Sequence, residues 1–110
     1  MKSITELINF NEGIVLESGK RLDAFDLMVE TYGELNESKT NAILLCHAFS
    51  GNHHAAGKNE DQGIGWWDKI VGPSKAIDTQ KYFVICANVI GGCMGSYGPS
   101  NINPKTNKNF

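Results

Sequence analysis

The chain has 110 residues, of which 41% are hydrophobic and 20% charged, and its formal net charge is −2. This balance gives no electrostatic reason to expect nucleic acid or an anionic membrane surface as a partner. No apolar run approaches the ~18 residues that a membrane-spanning helix needs, and the first residues lack the apolar core of a signal peptide. We therefore expect one small globular domain in the cytoplasm.

The three cysteines indicate a reducing compartment. Cys46, Cys86 and Cys93 are odd in number and form no C-x-x-C pair. Two of them lie inside apolar, strand-like runs, where a cysteine usually packs as a small buried thiol. We expect no disulfide.

The N-terminal third predicts two strands. Residues 1–13 are mixed and weakly patterned, and no element is assigned to them. Strands are predicted over residues 14–16 and 24–32, separated by a turn at residues 17–20. Alternation of side chains in the second strand is typical of a half-exposed antiparallel strand.

The apolar run at residues 42–46 predicts the central strand. The run is too short for a typical helix, so we expect a buried parallel strand over about residues 41–46, with Ile43 and Leu44 buried on opposite faces. It leads directly into small and polar residues at 47–51. Ligands of open α/β sheets bind outside the carboxyl ends of the strands, so the functional site is expected here.

A helix and a further strand are predicted after a charged loop. Residues 66–71 should begin a helix whose buried face carries Trp67, Ile70 and Val71, because these positions have helical spacing. Gly72 and Pro73 would end it.

A second buried strand is predicted over residues 82–90, which are rich in β-branched and aromatic side chains. The order strand, helix, strand predicts a βαβ unit with a right-handed crossover and an α/β fold. Residues 91–110 show no periodicity, so we expect the chain to end inside its domain.

Two loops approach known motifs but depart from them. Residues 51–58 lie close to a phosphate-binding loop, yet five residues instead of four separate the glycines, and Asn59 follows the lysine. Residues 91–95 fit a nucleophile elbow with Cys93 in the serine position. An elbow requires a helix directly after it, and the following residues are a poor helix start, so a glycine-rich wall beside a site is favoured.

The histidines do not predict a metal site. His53 and His54 are adjacent and would point in different directions on most backbones, and no spacing typical of zinc ligands occurs. His47, at the end of the central strand, is more typical of a packed or hydrogen-bonded histidine. We predict no bound metal.

The loop after the central strand occupies the position of an oxyanion hole. In α/β-hydrolases one oxyanion donor is a backbone N–H from the loop after the third strand, and two earlier strands make this strand the third. We predict the N–H of Phe49 as the donor. Small residues are predicted to form the walls of the site: Ala48, Ser50, Gly51, Gly91, Gly92 and Gly95.

Several stretches together resemble the N-terminal part of the homoserine O-acetyltransferase family. The matching stretches cover nearly all of residues 20–107 in order: 29–36, 46–51, 65–68, 72–73, 76–79, 82–88, 91–100 and 103–106. The family usually has leucine where Phe49 stands, a change that leaves the backbone donor in place.

The resemblance implies an α/β-hydrolase fold and a ping-pong transfer. In that transfer a serine takes acetyl from acetyl-CoA and passes it to the hydroxyl of L-homoserine, a step of methionine biosynthesis. The implied serine, Asp and His of the triad all lie beyond residue 110, so residues 1–110 would be the N-terminal part of a single domain with no catalytic side chain of its own. The implied partners are these small-molecule substrates, with no bound cofactor. A homodimer is possible for the full-length enzyme.

Two alternatives stay open. The chain could belong to a related O-acyltransferase of the same fold, such as a homoserine O-succinyltransferase or a serine O-acyltransferase, or it could be a non-catalytic binding module. A G-x-S-x-G sequence some tens of residues beyond residue 110 would indicate the enzyme. Expressed alone, residues 1–110 are expected to be inactive. They are also expected to fold poorly, because the strand at 82–90 would leave an apolar edge unpaired.

Overall fold

The computed structural model describes residues 1–110 and consists of strands and loops. The strands are β1 (Ser3–Phe10), β2 (Ile14–Val15), β3 (Arg21–Leu22), β4 (Phe25–Tyr32), β5 (Ala42–Leu45), β6 (Lys58–Asn59), β7 (Gly63–Ile64), β8 (Val71–Gly72), β9 (Ile77–Asp78), β10 (Phe83–Ala87), β11 (Ile102–Asn103) and β12 (Lys108–Asn109). The structure contains no helix that is long and apolar enough to cross a bilayer.

Four strands form the main sheet, in the order β1-β4-β10-β5. β4 is antiparallel to both β1 and β10, whereas β10 is parallel to β5. The predicted strands at 24–32 and 82–90 are confirmed as β4 and β10; β4 is one residue shorter than predicted, and β10 covers only five of the nine predicted residues. Antiparallel first strands followed by a parallel pair are the arrangement that the sequence predicts.

The first strand of the sheet is one that the sequence pattern did not reveal. β1 pairs with β4 over its whole length, and Phe10 stacks on Phe25 with ring centroids 5.1 Å apart. Ile4, Ile8 and Phe10 share one of its faces, but Glu6 interrupts that face and nearly all of the side chains are exposed, so the alternation is weak. The predicted strand at 14–16 pairs only with β3, outside the main sheet. β5 is nevertheless the third main-sheet strand along the chain.

β5 confirms the predicted parallel strand, but it lies at the edge of the sheet instead of its centre, and the prediction that both its faces are buried is wrong. Leu45 is buried at 6% exposure, whereas Leu44 on the opposite face is 65% exposed. A strand alternates its side chains between the two faces, and the crossover from β5 to β10 covers only one of them.

The predicted helix in this crossover is also wrong. Between Gly65 and Val71 the backbone makes two successive turns. The carbonyl of Gly65 accepts the amide of Asp68 (3.1 Å), and the carbonyl of Trp67 accepts the amides of Ile70 (2.8 Å) and Val71 (3.0 Å). Val71 then enters β8, which pairs with β9. Six residues of helical spacing are too few to sustain a helix without further turns. Of the predicted buried face, Val71 is fully buried and Trp67 is 42% exposed.

The core lies between one face of the sheet and the crossover. Its buried members are Tyr32, Leu45, Ala55, Ala56, Val71, Val84 and Cys86, with Ile43 and Ile77 packed against them. β10 is paired on both edges, so the predicted unpaired edge at 82–90 is wrong, and the expectation of poor folding loses that reason; the two edge strands of the sheet are β1 and β5.

Substitutions on neighbouring strands should separate the covered face from the open one. Val84→Ala is expected to lower the free energy of unfolding by about 2 kcal/mol, because it removes buried methyl groups and leaves a cavity. Leu44→Ala should cost less than about 1 kcal/mol, as an exposed substitution does. Urea unfolding of the chain followed by circular dichroism measures both. Equal losses would contradict the one-sided core.

Candidate functional site

The loop after β5 presents a backbone amide at the carboxyl edge of the sheet. Residues 48–51 form a β-turn, closed by a hydrogen bond from the amide of Gly51 to the carbonyl of Ala48 (2.8 Å). Neither Phe49 nor Ser50 has a positive φ, as in a type I turn. The Phe49 side chain is fully exposed, and its N–H donates to no acceptor within the chain. The sequence analysis predicts this free amide as an oxyanion donor, and that role stays a prediction.

His47 connects this loop to the loop after β10. Its Nε2 accepts a hydrogen bond from the amide of Val89 (3.1 Å), and its Nδ1 lies 2.7 Å from the carbonyl oxygen of Ala48. A backbone N–H can only donate, so Nε2 is unprotonated and Nδ1 carries the ring hydrogen. The expectation of a hydrogen-bonded histidine is confirmed.

The loop after β10 is fastened to β4. The amide of Asn88 donates to the carbonyl of Met28 (2.8 Å). The buried Ser96 hydroxyl accepts from the amide of Met28 (2.9 Å) and donates to the carbonyl of Asn88 (2.5 Å). Because both functions of this hydroxyl are engaged with backbone, Ser96 holds the loop in place and is not a nucleophile.

The predicted wall residues lie in two places. Ala48, Ser50 and Gly51 form the turn around Phe49. The amide of Gly92 donates to the carbonyl of Val89 (3.0 Å), and the amide of Val89 donates to His47. Gly91 adopts a φ of +84°. Gly95, with a φ of +105°, lies against Met28 of β4, where an added Cβ would approach Met28 Cε to 2.8 Å. Their role as walls stays a prediction.

The glycine-bearing loop at 51–58 is unsuited to binding phosphate. The amides of Ala55 and Ala56 donate to the hydroxyl of Tyr32 (2.8 and 3.1 Å), and the amide of Gly57 donates to Asp68 Oδ1 (2.7 Å). Phosphate loops need convergent free amides, and here three consecutive amides are already paired. Cys93 is exposed and followed by bends rather than a helix, so it lacks an elbow.

A buried polar cluster, which the sequence analysis did not identify, lies beneath this loop. The Glu30 carboxylate is 2% exposed. Its Oε1 accepts from the Tyr32 hydroxyl (2.8 Å) and contacts His54 Nδ1 (2.9 Å), and its Oε2 accepts from the Thr5 hydroxyl (3.1 Å). The other His54 nitrogen, Nε2, contacts the carbonyl of Gly63 (2.9 Å). The only sequence signal was a carboxylate within a largely apolar strand.

The pKa values of the two histidines of this region are shifted in opposite directions. Burial alone would lower the pKa of His54, but the hydrogen bonds of its ring to Glu30 and to the Gly63 carbonyl outweigh burial and raise it above 6.5. Burial lowers the pKa of His53, whose Nδ1 has no partner. No group of three His, Cys, Asp or Glu side chains is placed to hold a metal ion.

The chain is similar to curated homoserine O-acyltransferases. It is 58% identical over 105 residues to the homoserine O-succinyltransferase of Neisseria gonorrhoeae, covering 94% of this chain and 28% of that protein. It is 57% identical over 107 residues to the homoserine O-acetyltransferase of Methanohalobium evestigatum, covering 96% of this chain and 22% of that protein. The chain thus spans less than a third of these relatives. No protein-family model matches it.

Solved structures share the arrangement of the sheet. The homoserine O-acetyltransferase from Bacillus anthracis superposes with a TM-score of 0.87 at 38% identity, over 99% of this chain and 31% of that one. The acetyl esterase MekB superposes with a TM-score of 0.71 at 32% identity, over 93% and 26%. The fold is therefore that of the α/β-hydrolases, as predicted. Within this class the chain is similar, over nearly its whole length, to proteins named homoserine O-succinyltransferase or homoserine O-acetyltransferase.

The stability of the chain is expected to fall as the pH rises above 6.5. The pKa of His54 is raised in the folded state, so its contribution is fully present below the unfolded value of 6.5 and is lost as the pH rises through the folded value. The lowered pKa of His53 has the opposite effect, because it makes the folded state lose stability as the pH falls below 6.5.

The urea midpoint measured across neutral pH tests this expectation. His54→Gln is the matched variant, because its amide can still donate to Glu30 but does not titrate in this range. The variant should lose the decline above pH 6.5. A decline of the same size in the variant would show that another group causes it.

Proposed function

We propose that the protein containing this chain transfers an acyl group from an acyl-CoA to the hydroxyl of L-homoserine. Residues 1–110 would form the N-terminal portion of its single α/β-hydrolase domain. The observation that carries the proposal is 53–58% identity, over 94–96% of the chain, to proteins named homoserine O-succinyltransferase or homoserine O-acetyltransferase. Methionine biosynthesis in the cytoplasm is the corresponding biological setting.

The contribution of this chain is to stabilise negative charge. When a nucleophile attacks the acyl carbonyl, its oxygen becomes an oxyanion, which a prepositioned N–H stabilises more than it stabilises the ground state. The free amide of Phe49, held in a turn at the carboxyl edge of the sheet, suits this role. The second donor would come from the residue after the nucleophile.

The nucleophile is proposed to be a serine of a G-x-S-x-G elbow, with its Asp and His partners, beyond residue 110. Within the chain, Ser96 is engaged with backbone, and Cys93 has no following helix. Acyl transfer through a covalent intermediate needs a nucleophile activated by an oriented base. The serine would take the acyl group from the thioester, release CoA, and then pass the acyl group to the homoserine oxygen.

The acyl group is proposed to be acetyl, with acetyl-CoA as co-substrate and no bound cofactor. Succinyl is the second candidate, favoured by the name of the Neisseria gonorrhoeae relative. Residues that contact the acyl chain would decide between the two groups. A homodimer remains part of the proposal for the full-length protein.

Release of free CoA by the full-length protein tests the proposed reaction. With acetyl-CoA, release should require L-homoserine and should yield O-acetylhomoserine by mass spectrometry. Succinyl-CoA in parallel distinguishes the donors, and L-serine in place of L-homoserine distinguishes the acceptors. CoA release that is independent of any amino acid would indicate a hydrolase, and the proposal would then be wrong. The 110-residue chain alone should give no turnover.

Replacing Phe49 by proline removes the proposed oxyanion donor. Proline is favoured at the second position of a type I turn, so Phe49→Pro should keep the turn and lose only the N–H. We expect kcat to fall by about 10²–10³-fold, as for other oxyanion donors. Phe49→Leu keeps the N–H and should retain activity. A Phe49→Pro enzyme as active as Phe49→Leu would assign the donor elsewhere.

A further inference from the structure

The peptide group between Ala48 and Phe49 is held from one side only. The carbonyl oxygen of Ala48 accepts the Gly51 amide (2.8 Å) and lies 2.7 Å from the Nδ1–H of His47. A carbonyl oxygen has two lone pairs, so both are in use. The N–H at the other end of the same peptide has no acceptor within the chain.

Planarity transmits this restraint to the free amide. In a trans peptide the C=O and the following N–H lie in one plane and point in opposite directions, and the chain has no cis peptide. Fixing the carbonyl of Ala48 towards His47 and Gly51 therefore directs the N–H of Phe49 away from both of them. If the carbonyl were released, the peptide could rotate and the N–H would lose its direction.

The ring of His47 is itself fixed by the neighbouring loop. Its Nε2 accepts the Val89 amide (3.1 Å). The residue before Val89, Asn88, is bonded through both its amide and its carbonyl to the β4 side, by Met28 and Ser96. The restraint on the peptide therefore runs from β4, through the loop after β10, to the loop after β5.

Gly51 allows this contact to be close. An added Cβ at Gly51 would lie 3.0 Å from the Cβ of His47 and 3.3 Å from its Nδ1. These distances are shorter than ordinary van der Waals contact, so a side chain at Gly51 would push the turn and the ring apart.

We infer that His47 is a positioning residue of the oxyanion hole, which aims the Phe49 N–H by holding the Ala48 carbonyl through Nδ1–H while Val89 holds its ring through Nε2. The inference rests on the proposed function. His47 touches no reacting atom; it acts through the peptide that carries the donor.

Two substitutions in the full-length protein separate hydrogen bonding from packing. His47→Phe keeps a planar ring and loses both nitrogens. His47→Asn is smaller, but its Nδ2 can occupy the place of Nδ1 and donate to the Ala48 carbonyl. We expect His47→Phe to lower kcat by about 10–100-fold, up to the loss of one oxyanion donor, with an unchanged KM for the acyl-CoA. His47→Asn should recover about tenfold of this loss.

The outcomes distinguish this inference from the proposed function. Absence of homoserine acylation by the unsubstituted protein would refute the proposed function. An active unsubstituted protein with a fully active His47→Phe variant would refute only the positioning role. So would a His47→Asn variant no better than His47→Phe, or a change confined to KM.

A structure of the unsubstituted protein covers the case in which the variants fail to fold. Reaction with a phosphonate ester would place a tetrahedral phosphorus at the nucleophile, with one oxygen in the oxyanion position. The phosphonate oxygen within hydrogen-bond distance of the Phe49 nitrogen, with His47 Nδ1 still bonded to the Ala48 carbonyl, would support the inference. A rotated peptide between Ala48 and Phe49 would overturn it.

Discussion

The hydroxyl of Tyr32 is the contact on which the covered half of the molecule depends. It donates to Glu30 and accepts the amides of Ala55 and Ala56, so one oxygen joins the last residue of β4 to the crossover. The amide of Ala55 also donates to the carbonyl of His53 (3.0 Å), but the amide of Ala56 has no other acceptor in the chain, and the buried positions of Ala56 and Tyr32 exclude water. Buried donors without partners are costly, so the hydroxyl and the path of the crossover require each other.

The candidate site around Phe49 depends on the same sheet but lies at a different edge of it from the Tyr32 hydroxyl. Nothing in the core touches the Phe49 amide directly. Its direction comes from hydrogen bonds among the loop after β5, the loop after β10 and strand β4, in which backbone groups outnumber side chains. Such an arrangement would hold the proposed oxyanion donor without a bulky group beside it and leave the space in front of the N–H free for the proposed substrate.

A strand or a site residue of this chain could be predicted only where it produces a recognisable pattern of side chains in the sequence. β4, β5 and β10 carry apolar residues at strand spacing and were predicted, as was the loop after β5. β1 has mostly exposed side chains and is held largely by its backbone pairing with β4, which the pattern of side chains reveals only weakly. The apparent helix at 66–71 failed because six residues can show helical spacing by chance. Glu30 was assigned to a half-exposed strand, since its burial depends on His54, a residue 24 positions away.

The strand order has a consequence for the time course of folding. β10 lies between β4 and β5, so two strands that come earlier in the chain are neighbours only through one that comes later. As the polypeptide leaves the ribosome, β1 and β4 can pair at once, whereas β5 has no partner until residues 83–87 arrive. The loop that carries Phe49 therefore acquires its position late, because contacts distant in sequence form slowly. During synthesis, β5 is the segment most in need of protection from foreign strands.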